Sequence, residues 1–152
     1  MLGRFDPRRR QAEPVAPEKT DAAGDVDLIG IVTAFHVDLA EWLGSDAPPK
    51  IFDRISAQLD DQFTSVVTTG QTVDRDTLLA GLWSARNLQP GLRIEISEVR
   101  ELARSGKLLV LRFVAENRLA ETRTGRTVTA ALITDGRTYR WRTVHETPMP
   151  EA

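Results

Sequence analysis

The sequence predicts an α+β domain, with three N-terminal helices packed on one face of a mostly antiparallel sheet. Three observations carry that expectation. Apolar residues recur at intervals of three and four from Leu28 to about Asn87, then at intervals of two from Leu92 to Thr147. Pro90 and Gly91 mark the changeover as a turn. The chain is 152 residues long, enough for one core that buries about 70% of the unfolded surface and too short for two large domains.

The first helix begins at Asp25 or Asp27, carries Leu28, Ile31, Val32, Phe35, Leu39, Trp42 and Leu43 on its buried stripe, and stops at Gly44. Pro48 and Pro49 stand where a helix start tolerates proline. A second helix follows through Ile51, Phe52, Ile55 and Leu59 to about Asp61. The short β-branched stretch Phe63 to Thr69 reads as a strand closed by Gly70. Asp74 then caps a third helix bearing Leu78, Leu79, Leu82 and Trp83. Four strands complete the order. The first, from Leu92, changes phase before Val99, which calls for a bulge near Ser97 and Glu98. The second, Leu108 to Glu116, is almost continuously apolar, so both its faces are expected to be covered, one by helices and the other by a second subunit. Thr127 to Thr134 and Thr138 to Thr147 form the last hairpin, turning at Asp135 and Gly136.

Composition narrows the function classes. A net charge of −2 with 20 basic and 22 acidic residues argues against a nucleic-acid-gripping domain. The lack of Cys removes disulfides, thiolate nucleophiles and zinc ribbons. No apolar run reaches the roughly 20 residues of a membrane span, and the sequence points to a cytoplasmic protein. Residues 1–24, with Arg4, Arg8, Arg9, Arg10 and three prolines, read as a disordered tail ahead of a domain over residues 25–147 and a short tail over 148–152.

The element order, the stretch Phe35, His36, Leu39, Glu41, Trp42 and Leu43, and the ending Trp141-Arg142-Thr143-Val144-His145-Glu146-Thr147 resemble the nuclear transport factor two-like superfamily. Within it they are most similar to small bacterial domains of the SnoaL-like and ketosteroid-isomerase-like kind. The resemblance implies a cone-shaped α+β barrel, its curved sheet wrapped round the first helix with a pocket inside, and a homodimer formed through the sheet. The functions it implies range over isomerases, cyclases, dehydratases, ligand binders and assembly scaffolds, so the site must decide.

His145 is a candidate general base because its ordinary pKa lies near 6.5, provided the Trp141 face lines the pocket. A hydrogen-bonded His at the sheet end is the plainer role. Glu116, at the end of the apolar strand, is a second candidate base, or a partner of Arg112 on the same face. His36 borders the buried stripe of the first helix and either faces the pocket or packs. Trp42, Phe63, Trp83 and Trp141 are candidates for an apolar pocket wall or for plain core. Arg75 is a candidate for holding an anionic ligand at the mouth, or is simply solvated. Isomerase chemistry in the resembling proteins uses Asp and Tyr on strands, whereas here the only Tyr is Tyr139 beside a hairpin and no Asp falls inside an expected strand. Two unpaired His and no Cys give no metal site, and no cofactor is expected. The leading expectation is a domain binding an apolar small molecule as a homodimer. An isomerase, cyclase or dehydratase acting on an apolar carbonyl compound is the first alternative, and an assembly or adaptor domain the second.

Overall fold

The computed structural model describes residues 26–150, and the expected N-terminal tail lies outside them. Its order is α1 (Leu28–Gly44), α2 (Pro49–Ala57), β1 (Leu59–Val66), β2 (Thr72–Asp74), α3 (Arg75–Ser84), β3 (Arg93–Ser105), β4 (Leu108–Leu119), β5 (Thr122–Thr134) and β6 (Tyr139–Pro148). The six strands form one mixed sheet in the order β2-β1-β6-β5-β4-β3. Only β1 and β6 run parallel. The sheet is open, with β2 and β3 as its edges.

Local chemistry sets the helix limits. Asp27 Oδ1 accepts from the Gly30 N–H at 2.9 Å and Asp74 Oδ1 from the Thr77 N–H at 2.9 Å, so α1 and α3 both start on aspartate caps. The end of α1 is closed by the loop before β3. Asn87, Gln89 and Gly91 donate their N–H groups to the carbonyls of Trp42, Leu43 and Gly44, which a helix end otherwise leaves unpaired. That loop lies so close that a Cβ on Gly44 would stand 2.9 Å from the Leu92 backbone nitrogen. Gly44→Ala is therefore expected to cost about 1–3 kcal/mol by overpacking, readable as a lowered urea midpoint.

Several expected boundaries are corrected. β4 runs to Leu119 rather than Glu116, β5 starts at Thr122 rather than Thr127, and the short strand β2 is not among the expected elements. The second helix stops at Ala57 rather than near Asp61, and the first strand starts at Leu59 rather than Phe63. Asp60 and Asp61 are thus strand residues, so the expectation that no Asp sits in a strand fails as well. The reason is pairing: Leu59 lies beside Trp141 on β6, and the Trp141 N–H donates to the Gln58 carbonyl at 2.8 Å. Those tertiary bonds outweigh the helical spacing of Leu59 and Phe63.

The bulge expected near Ser97 is present. Register shifts between Ser97 and Arg100, and Glu98 has φ 55°. A second bulge, on β6, decides the site. Leu132 pairs with Trp141 but Ala131 pairs with Thr143, which leaves Arg142 as an extra residue. Beyond it the alternation is reversed. On β5 the even positions 126 to 132 share one face, and their β6 partners are Pro148, Glu146, Val144 and Trp141. Their β4 partners are Ala115, Phe113, Leu111 and Leu109. This face carries the main core, joined by Val32 of α1 and by Leu59 and Phe63 of β1. A smaller cluster of Trp42, Ala47, Ile51 and Ile55 fastens α1 to α2.

Candidate functional site

A cavity of about 370 Å³ opens between the inner face of the sheet, α1 and α3. Its two ends differ in chemistry. Leu39, Leu43, Leu78 and Leu82 from the helices make one wall apolar, while Asn117, Arg126 and Glu146 from β4, β5 and β6 make the sheet corner polar. The cross-strand register explains that corner, since Asn117, Arg126 and Glu146 occupy the inner-facing positions at one end of three adjacent strands.

His36 stands in the middle of the cavity wall. It is 5% exposed and ringed by Phe35, Phe113 and Trp141, at centroid distances of 5.3, 5.4 and 6.2 Å. Its Nδ1 lies 2.8 Å from the Val32 carbonyl oxygen. A carbonyl only accepts, so Nδ1 carries the proton and donates, which leaves Nε2 as the imidazole's lone-pair nitrogen. Burial pushes the His36 pKa down to about 4; the Val32 bond opposes the shift, and the Arg126 charge adds to it. At neutral pH the ring is an uncharged base inside an apolar enclosure.

The polar corner is an ion pair with unused donors. Arg126 Nη1 donates to Asn117 Oδ1 at 2.9 Å. Arg126 Nε lies 3.4 Å from Glu146 Oε2, an ion-pair approach whose angle does not make a hydrogen bond, so that N–H is buried without a partner. Trp141 Nε1 is also buried without one. Orphaned buried donors are uncommon in folded proteins, and each calls for an explanation.

Three sequence-derived candidates, His36, Phe63 and Trp141, line the cavity together, and five do not. His145 is exposed on the outer face, opposite Thr129, because the Arg142 bulge turns Glu146 inward in its place. The condition attached to His145 therefore fails, since it does not share the Trp141 face. Glu116 also faces outward, one residue from the inner-facing Asn117, and accepts from Arg118 Nε at 3.0 Å rather than pairing with Arg112. Trp42 is fully buried away from the cavity; its Nε1 donates to the Leu82 carbonyl at 2.6 Å, and its ring stacks on Trp83 at 5.6 Å. Trp83 is 55% exposed. Arg75 Nη2 donates to Ser56 O and Oγ, both at 3.0 Å, tying α3 to α2 instead of facing a ligand. Among the described residues no group of three potential ligands is placed to hold a metal ion.

Sequence reasoning missed Arg126, Asn117, Phe113 and Glu146 as cavity residues. Arg126 had no distinguishing signal in a chain where all but three of 20 basic residues are Arg. The inward phase of Glu146 depends on a bulge that nothing in Tyr139 to Thr147 announces.

A protein of unknown function from Pseudomonas aeruginosa, described as NTF-2 like, superposes with a TM-score of 0.74 at 28% identity, covering 78% of this chain and 95% of that one. The fold is NTF2-like. A candidate dehydratase of the NTF2-like family from Streptomyces avermitilis matches with a TM-score of 0.67 at 11% identity, over 84% of this chain and 97% of that one. A candidate scytalone dehydratase from Novosphingobium aromaticivorans matches at 0.65 and 9% identity, over 80% and 81%. At such low identity the last two show the fold alone. No family model and no curated protein matches the sequence. The NTF2-like fold accounts for the helices gathered on one face of the sheet. No described helix is long and apolar enough to cross a membrane.

Proposed function

We propose that this protein binds an apolar small molecule in the cavity between α1, α3 and the sheet. In this reading the sheet and α1 form a cone-shaped enclosure and the protein works as a cytoplasmic homodimer joined through the outer sheet face. The observation that carries the reading is the cavity itself, about 370 Å³ with buried unpartnered N–H groups on Arg126 and Trp141 in its wall. Ligand sites of about 300–1,000 Å³ are mostly apolar with a few convergent polar groups, and this one has that character. A bound oxygen acceptor at the sheet corner would account for the orphaned Arg126 N–H. Half-buried Val110 and Val114, with Leu108 40% exposed beside them, give the outer face of β4 apolar surface suited to a second subunit.

Native mass spectrometry of the purified protein tests both parts. The reading expects a dimer mass that carries an extra small-molecule mass, or acquires one on incubation with an aromatic alcohol. A strictly monomeric species at micromolar concentration contradicts the dimer, and a protein that never takes up such a mass contradicts the binding function.

A second reading, isomerase, cyclase or dehydratase chemistry on an apolar carbonyl compound, is favoured by one observation. His36 presents an uncharged base in an enclosure that also holds the Arg126 and Trp141 donors, the combination of base and oxyanion donor that enolising chemistry needs. His36 takes the part first considered for His145 and Glu116. The likeness to candidate dehydratases agrees with this reading. Turnover of a carbonyl substrate that survives His36→Gln unchanged would remove His36 from the role.

A further inference from the structure

The charges of the cavity set what kind of ligand enters. Among the described lining residues Arg126 is the only cation and Glu146 the only anion, and they face each other at 3.4 Å with side chains 12% and 24% exposed. We infer that Glu146 acts as a charge filter, neutralising Arg126 so that the cavity takes uncharged apolar compounds bearing a hydroxyl or carbonyl and rejects their carboxylate counterparts. The inference rests on the binding function proposed above and adds the ligand's charge and polar groups.

Competition for Arg126 sets the preference. A carboxylate ligand would have to leave water, displace or share Arg126, and sit beside the Glu146 carboxylate, and like charges in a partly dry site oppose each other strongly. A neutral oxygen avoids the charge repulsion beside Glu146 and can still accept from Arg126, while a ligand hydroxyl has the His36 Nε2 lone pair to donate to. The pair is not electrically silent. Arg126 opposes the protonation of His36, so the pair and the imidazole share one electrostatic environment.

The experiment uses the full chain at pH 7 with 2-naphthol and 2-naphthoate as matched probes, followed by calorimetry and by the Trp141 indole resonance. The native protein is expected to bind 2-naphthol at least tenfold more tightly than 2-naphthoate. Glu146→Gln, nearly isosteric, is expected to narrow that ratio at least tenfold by unmasking Arg126. Arg126→Gln is the reciprocal variant and is expected to widen it, which keeps the test decisive should Glu146→Gln fail to fold. Equal affinities in the native protein, or a ratio that neither variant moves, would overturn the charge filter and leave the binding function standing. Failure of both probes to bind the native protein would overturn the filter and the binding function together.

Discussion

Lowering the pH from 7 to 5 is expected to remove about 2 kcal/mol of folding stability through His36 alone. The group has a pKa of about 4 in the folded protein against an ordinary 6.5. Between those values the unfolded chain binds a proton that the folded chain refuses, so stability is fully present above pH 6.5 and drains away as pH falls toward 4. The whole displacement corresponds to about 3 kcal/mol, most of it lost by pH 5. The cause is geometric: an imidazole enclosed by Phe35, Phe113 and Trp141, with the Arg126 cation near enough to oppose a second positive charge. Urea unfolding at a series of pH values reads this directly, and His36→Phe isolates it from the carboxylates. The variant is expected to flatten the slope between pH 7 and 5. An identical slope in both proteins would show that His36 is solvated and charged, contrary to its placement.

Trp42→Ala is expected to cost about 3–5 kcal/mol, the ordinary loss for removing a fully buried large aromatic. Trp42 has no exposed surface, holds α3 through the Leu82 carbonyl, packs against Phe52 at 5.3 Å and Trp83 at 5.6 Å, and lies 5.4 Å beneath the Arg86 guanidinium. These contacts join α1 to α2, to α3 and to the segment after α3, so little backbone movement can refill the space. Trp42→Phe keeps most of the packing and is expected to lose only about 1 kcal/mol with the indole hydrogen bond, since the Leu82 carbonyl still accepts from the Ala85 N–H. A loss below 1 kcal/mol for the alanine variant, measured by urea unfolding, would mean that the cluster does not fasten α3.

These two residues illustrate what the sequence disclosed. Trp42 lies on a readable helical stripe and His36 at its border, and the change of period at Pro90 announces the sheet. The bulge at Ser97 was legible because Ile96 and Val99 are out of phase within one run. The bulge at Arg142 was not, because Trp141, Val144 and Glu146 also read as an ordinary alternating strand with His145 inward. A single inserted residue thus exchanged His145 for Glu146 at the cavity. Arg126 and Asn117 gain their meaning only from cross-strand register, a long-range property that composition and periodicity do not encode. The limits of α2 and β1 went astray for the same reason, since Leu59 fits either period and pairing with β6 selected one.

In the proposed function the cavity holding His36 and Trp141 receives the ligand, and the three tryptophans test this in one spectrum. Their indole N–H groups occupy distinct surroundings: Trp141 buried and unpartnered in the cavity wall, Trp42 bonded to Leu82, and Trp83 on a ring 55% exposed. In a titration of the nitrogen-15-labelled protein with 2-naphthol, the account predicts a saturable shift of the Trp141 indole resonance while those of Trp42 and Trp83 hold their positions. A titration that moves Trp83 alone, or none of the three, would contradict it.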